Sequence, residues 1–314
     1  MNELELYNLW CDCATEDADI VEELKSINGN EDAIKERFYK NLEFGTGGLR
    51  GVIGAGTARL NIYTIRKATQ GLANYLNEHF TNPSVAVSFD SRIKSTTFAK
   101  TACEVLAGNG IKANIYTELM PTPMLSFAVR ELKCQAGIMV TASHNPAKYN
   151  GYKVYGEDGC QLNLTNSEIV INKINQVDIF KDVKHIDFEE GIKQGLISYI
   201  GEDVIENFYK NVIAQGIHVD LVKNSGLKVV YTPLNGTGNK PVRTILNRIG
   251  VNDITVVPEQ ENPDGNFPTC PFPNPEIREA LNFGLKLCET VKPDLLLATD
   301  PDADRVGIAV PNPD

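Results

Sequence analysis

The chain has 314 residues, enough for about two domains of ordinary size, and its 42% hydrophobic and 23% charged residues form a globular mixture able to bury a core. A net charge of -11 excludes a general electrostatic route to a nucleic-acid backbone or an anionic membrane. Phosphate ligands stay open, because local arginines, lysines and helix N-termini can hold them whatever the overall charge.

The acidic start, Met1 to Glu5, lacks the basic and apolar segments of a signal peptide, and no apolar run approaches membrane-spanning length. A soluble, cytoplasmic protein is expected. Leu4, Leu6, Leu9, Trp10 and Cys13 repeat near helical spacing, with Trp10 as a packing anchor. Thr15 or Asp17 is placed to cap a second helix carrying Ile20, Val21, Leu24 and Ile27, and Asn30 a third through Ile34, Phe38 and Tyr39. Cys11 and Cys13 have no nearby Cys/His pair to complete a zinc site, and the seven cysteines are odd in number and scattered, which favours reduced thiols.

Phe44 to Gly51 holds four glycines, all in the seven residues from Gly45 on, together with Arg50. Such a loop is either a tight turn or a backbone brought close to a ligand, with the arginine suited to clamp a phosphate. Thr64 to Asn77 predicts a helix, Val85 to Phe89 a strand leading into Asp90-Ser91-Arg92, Phe98 to Ala107 a helix stopped at Gly108-Asn109-Gly110, and Asn114 to Tyr116 another strand. This alternation predicts an α/β fold, a mixed or parallel sheet with helices on its faces.

Ala136 to Val140 has the length and apolar content of a buried strand, so Thr141-Ala142-Ser143-His144-Asn145-Pro146 should emerge at a strand end, where open α/β sheets present their binding loops. Asn145-Pro146 is turn chemistry, placing Ser143 on a sharp bend beside a histidine. Alone, that pattern also fits a solvated turn, since an activated serine needs a base and an orienting group in geometry. Asn150 to Tyr155 predicts a turn into a strand that brings Lys153 back toward Ser143.

From Asn163 to about Gly201 the sequence is polar and amphipathic, and Asp182 to Glu190 is the expected crossover, dividing the chain into domains 1–190 and 191–314. Beyond it come a helix over Val204 to Ile213, a strand over Leu227 to Tyr231, and the loop Thr232-Pro233-Leu234-Asn235-Gly236-Thr237-Gly238, which is either an anion site or a tight strand-to-helix turn. A helix to about Asn247, a strand at Ile254 to Val257 and a helix over Glu276 to Thr290 follow.

Leu295 to Ala298 then predicts a buried strand that delivers Asp300, Asp302 and Asp304 at its exit. Residues two apart in an extended segment share a face, so the three carboxylates can converge on one hard cation, which would offset their mutual repulsion. An EF-hand is excluded, because its glycine and glutamate positions hold Arg305 and Pro311. A phosphatase with an aspartate nucleophile stays open on this run alone.

Phe44 to Gly51, Thr141 to Pro146, Asn150 to Lys153 and Asp300 to Arg305 occur in the order and spacing of the α-D-phosphohexomutases, and the chain resembles that family over essentially its whole length. The N-terminal helices, Gly54 to Thr57, Ala68 to Ala73 and Pro263 to Pro268 are similar to the phosphoglucomutase/phosphopentomutase branch. The resemblance implies two tandem mixed-sheet domains with helices on both faces, the first two of the family's four. It also implies a phosphoserine at Ser143, a Mg2+ ion held by Asp300, Asp302, Asp304 and a Ser143 phosphoryl oxygen, and a hexose 1,6-bisphosphate, glucose 1,6-bisphosphate for a glucose enzyme, as activator and intermediate.

In that frame Lys153 and His144 are candidate proton-transfer groups, Arg50 and Arg305 meet phosphate, and Asn145 shapes the loop. Asn235 departs from the histidine that relatives often carry. The family's sugar-recognition and main substrate-phosphate loops belong to its third and fourth domains, and this chain ends at Asp314 after a strand over Val306 to Val310. The expectation is therefore a phosphoglucomutase-type isomerase of carbohydrate metabolism with sugar phosphates as partners, little turnover on its own, and a surface favouring self-association. The alternatives are a phosphopentomutase or phosphomannomutase, or a non-catalytic module that binds metal or sugar phosphate.

Overall fold

A computed structural model describes residues 1–45 and 48–312; Thr46 and Gly47 of the glycine loop, and Pro313 and Asp314, lie outside the described residues. Three capped helices come first: α1 (Glu3–Cys13), α2 (Ala18–Ser26) and α3 (Glu31–Phe38). Asn2 and Glu5 close a reciprocal capping box on α1, and the side chains of Asp17 and Asn30 accept backbone N–H groups at the starts of α2 and α3. Leu4 and Cys13, expected on the packing face of α1, are exposed, and the buried face is Tyr7, Trp10 and Ala14. Trp10 stands edge-to-face with Phe38, Tyr63 and Phe180, which fastens these helices to the domain that follows.

That domain runs β1 (Gly48–Val52), α4 (Ile62–His79), β2 (Ser84–Phe89), α5 (Ser95–Gly108), β3 (Lys112–Ile115), α6 (Thr122–Glu131), β4 (Ala136–Val140), β5 (Tyr149–Gly156), α7 (Leu164–Asn175), α8 (Phe188–Lys193) and β6 (Ile197–Tyr199). Its six-stranded sheet has the order β1-β5-β4-β2-β3-β6, with β4, β2, β3 and β6 parallel and β5 antiparallel to both neighbours. Alternation along the strands splits the core. Val85, Val87, Ile138 and Val140 pack with Leu72 of α4 and Phe98 of α5, while Ala86 and Met139 face Met124 and Leu125 of α6. The crossovers β2-α5-β3 and β3-α6-β4 thus lie on opposite faces, which opens a crevice between the carboxyl ends of β2 and β4.

The crossover expected at 182–190 is corrected. Ile186 N–H donates to the Glu104 carbonyl, and β6 pairs with β3, so the polar stretch after α7 lies along α5 and closes the first sheet. Phe180, Ile186 and Phe188 of this stretch pack on the first domain's core.

The chain passes to the second layer through α9 (Glu202–Ala214) and α10 (Val219–Asn224), and continues as β7 (Lys228–Thr232), α11 (Asn239–Arg248), β8 (Asp253–Val256), α12 (Pro258–Glu261), α13 (Arg278–Val291), β9 (Leu295–Thr299) and β10 (Val306–Ala309). The sheet order is β10-β9-β7-β8, with only β10 antiparallel to its neighbour. Leu281 of α13 packs on Val230, Leu296 and Ala298, whereas Val242 and Leu246 of α11 pack on Val229 and Tyr231 of the other face. Ile205 and Tyr209 of α9 join Met124 and Leu125 in one core, so α9 is built into the first domain as it leads into the second.

Candidate active site

Strands β4 and β9 belong to different sheets, yet the loops at their carboxyl ends meet. The Ser143 hydroxyl donates to Asp300 Oδ2 at 3.0 Å and lies 3.1 Å from His144 Nδ1. Ser143 is buried and held at φ 52°, in the left-handed region that a non-glycine residue occupies at a cost of about 1–2 kcal/mol.

That conformation is gripped from both sides. Thr141 Oγ1 accepts the Ser143 N–H at 2.8 Å and donates to Asp90 Oδ2 at 2.7 Å. Arg92 Nη2 donates to the carbonyls of Ser143 and Asn145, at 2.6 and 2.5 Å, and Nη1 to those of Pro146 and Tyr149, at 3.1 and 3.0 Å. Asp90 is fully buried and also accepts from Ser95 Oγ and the Arg92 N–H. In sequence Asp90 and Arg92 only mark the end of a strand. Their only local signal is a charged pair leaving an apolar strand.

The three aspartates cluster, with one oxygen of each within 4.8 Å of the others, but on a turn rather than the extended segment expected: the Ala303 N–H donates to the Asp300 carbonyl at 2.9 Å and Ala303 has φ 50°. Asp300 and Asp302 are buried and Asp304 is exposed. Burial, then the charges of Asp302 and Asp304, push the Asp300 carboxyl up to about 8. Burial also acts against the charge on Asp302, but Lys153 Nζ at 2.8 Å, with hydrogen bonds from Asp300 and Thr122, more than offsets it and holds that carboxyl below its usual range. Lys153 is pulled down by burial and raised further by Asp302 and Asp304, so it stays charged.

Asp302 Oδ1 is buried with no hydrogen-bond partner among the described residues. An orphaned carboxylate oxygen within an all-oxygen, like-charged donor set fits a hard divalent cation such as Mg2+.

Support for this loop comes from both domains. Thr122, opening α6, donates its hydroxyl to Asp302 Oδ2 at 2.9 Å and its N–H to the Asp302 carbonyl at 2.9 Å. The glycine-bearing loop after β7 is a buttress: the Thr237 N–H and hydroxyl both donate to the Pro301 carbonyl, at 2.8 and 2.9 Å. Asn235 is turned into that same packing, donating to the Asn262 carbonyl at 2.8 Å.

Arg50 lies exposed on β1 with Nη1 3.4 Å from Asn145 Oδ1, at the rim of a cleft of about 330 Å³ that Thr141 and Lys153 also line. His144 is half-buried; burial, then the charges of Arg305 and Arg50, hold its imidazole below the usual value, which favours the neutral form. The Arg305 backbone N–H donates to Asp300 Oδ1 at 3.0 Å, while its guanidinium pairs with Glu276 at 2.9 Å. The structure thus brings Ser143, His144, Lys153 and the three aspartates together, with Arg50 and Asn145 at the edge and Arg305 joined through its backbone.

Residues 41–179 match the family model for phosphoglucomutase/phosphomannomutase alpha/beta/alpha domain I, and residues 206–312 that for alpha/beta/alpha domain II. A phosphoglucomutase of Staphylococcus saprophyticus is 42% identical over 266 residues, covering 85% of this chain and 48% of that one. One of Staphylococcus epidermidis is 38% identical over 303 residues, covering 96% of this chain and 54% of its own. The chain spans about half the length of the curated relatives it matches. Among solved structures, a Thermus thermophilus protein described as a phosphomannomutase superposes with a TM-score of 0.73 at 25% identity, over 87% of this chain and 57% of that one. The Paramecium phosphoglucomutase pp63/parafusin shares the fold, with a TM-score of 0.66 at 18% identity over 87% of this chain and 53% of its own.

Proposed function

The chain belongs to the phosphoglucomutase/phosphomannomutase family, and from that premise we propose that Ser143 is the phosphoryl carrier of an α-D-phosphohexomutase site interconverting a sugar 1-phosphate and a sugar 6-phosphate through a sugar 1,6-bisphosphate. The observation that carries the reading is the 3.0 Å contact between Ser143 Oγ and Asp300 Oδ2, which joins the serine of one domain to the carboxylate cluster of the other. Glucose is the sugar assigned, on the strength of the phosphoglucomutase relatives.

Asp300, Asp302 and Asp304, with an oxygen of phosphorylated Ser143, would hold Mg2+. Bound there, the ion supplies neutralisation of the charge on the transferring phosphoryl oxygens. In the step that loads the serine, Ser143 Oγ attacks a phosphorus of glucose 1,6-bisphosphate; the P–Oγ bond forms and the bond from phosphorus to the sugar oxygen breaks. For this the serine hydroxyl turns from Asp300 Oδ2 to neutral His144 Nδ1, 3.1 Å away, and gives its proton there. Lys153, kept charged by its aspartates, gives a proton to the leaving sugar oxygen, and takes one back in the reverse direction. Arg50 meets the phosphate that is not reacting, Arg305 fixes the aspartate loop through its N–H, and Asn145 sets the bend. Most of the catalytic advantage in such a transfer is positioning.

Peptide mass spectrometry tests this on the chain incubated with glucose 1,6-bisphosphate and Mg2+. One phosphoryl group on Ser143, lost in Ser143→Ala, is expected. No phosphate on the intact chain would favour a non-catalytic module that binds metal or sugar phosphate.

Copies of the chain are also proposed to associate through β10, an edge strand whose Val306 and Ile308, with Val310 just beyond its end, are 60%, 64% and 68% exposed. Light scattering that shows only monomer at every concentration would reject this. Among the described residues no helix is long and apolar enough to cross a membrane.

A further inference from the structure

Arg92 spends its guanidinium edge on four carbonyls of the 143–149 loop, with Nε 3.3 Å from Asp90 Oδ2. What remains is the face of the guanidinium, and the ring of Phe267 covers it at 4.9 Å. Phe267 comes from the other domain, in the Pro263 to Pro268 stretch between α12 and α13, and is itself buried. The approach is close because Gly265 lies against Ser91, Arg92 and Ile93: a Cβ there would stand 2.5 Å from Ile93 N and 2.8 Å from the Arg92 carbonyl carbon. Asp264 accepts the Phe267 N–H through its carbonyl, 3.2 Å away, which completes the turn. The domain with the carboxylate cluster thus reaches the serine loop directly through Asp300 and indirectly through Phe267 and Arg92.

We propose that Phe267 is a positioning residue for the serine loop, acting through Arg92, and that the metal-bearing domain fixes the left-handed conformation of Ser143 by this contact. A desolvated cation over an aromatic face is among the stronger pairings of its kind, and it orients the guanidinium plane as well as stabilising it. Tilting that plane would lengthen all four carbonyl bonds together, so the loop would loosen as a unit. The consequence for phosphoryl transfer rests on Ser143 being the carrier; the consequence for loop geometry does not.

The test is amide hydrogen exchange of the full chain, following peptides from the 141–149 loop and from β2 as reference. In Phe267→Leu, which keeps apolar bulk but removes the ring, the loop should exchange about tenfold faster while β2 is unchanged. Phe267→Tyr, which keeps the ring, should restore the parent pattern. Phosphoryl uptake from glucose 1,6-bisphosphate should slow in Phe267→Leu and recover in Phe267→Tyr. Parent-like loop protection in Phe267→Leu, equal acceleration in both variants, or faster exchange throughout the chain would each overturn the proposal. If the parent itself takes up no phosphate, the functional reading fails, and the exchange comparison still decides this one.

Discussion

Lys153 Nζ lies 2.8 Å from Asp302 Oδ2, an ion pair that crosses from β5 of the first domain to the loop after β9 of the second. Lys153 also reaches Asp304 at 3.4 Å, so one ammonium offsets two members of a like-charged cluster. Removing it leaves the buried Asp302 carboxylate without its cation. Lys153→Met, similar in length, should therefore lower stability by about 3 kcal/mol in metal-free buffer. Mg2+ should recover more of that loss in the variant than it adds to the parent. Thermal unfolding with and without Mg2+ checks this, and equal Mg2+ effects in the two proteins would count against it.

Mg2+ should also stabilise the parent chain. Saturation at a hundred times the dissociation constant contributes about 2.7 kcal/mol by mass action. Asp304 is the exposed member of the cluster, so Asp304→Asn should fold normally and need a higher Mg2+ concentration for the same gain. Melting temperature against Mg2+ concentration measures both. Superimposable curves for parent and variant would remove Asp304 from the ligand set.

Thr141 links the Ser143 N–H to Asp90, and all three groups are buried. Thr141→Val keeps the shape and leaves a backbone donor and a carboxylate oxygen each short of a partner. The expected loss is about 2–3 kcal/mol, read from urea unfolding, with slower phosphoryl uptake by the chain that remains folded.

Much of this site was legible because its chemistry sits where strands end. Ser143 and the three aspartates follow short apolar runs, whereas the turn at Ala303 that gathers the carboxylates leaves no mark in their period-two spacing. Arg92, Thr122 and Phe267 were not legible, since each acts on a residue far along the chain; Thr122 and its partner Asp302 are 180 positions apart. Helix α6 also escapes the pattern. Pro121 and Pro123 read as breakers, yet they stand at the helix start, where proline is tolerated because the early N–H groups have no partner inside the helix. Strand β6 has three residues and declares itself only by pairing with β3.

Gly71 sets two rules against each other. Alanine is the better helix former by about 1 kcal/mol. A Cβ at this place in α4, however, would stand 2.4 Å from Ile174 Cγ1 and 2.7 Å from the Ile174 backbone of α7. Backbone gives way less readily than a side-chain tip, so Gly71→Ala should destabilise by about 1–3 kcal/mol on balance. Urea unfolding gives the sign, and a gain in stability would show that α7 moves freely.

The central claim is that the serine of one domain and the carboxylates of the other form a single phosphoryl-transfer site. Its most direct test is the 31P resonance of the chain phosphorylated on Ser143, recorded as Mn2+ replaces Mg2+. The paramagnetic ion should broaden the phosphoserine line beyond detection, and Asp302→Asn should restore it at the same Mn2+ concentration. A phosphoserine line that stays sharp with Mn2+ bound would contradict the account.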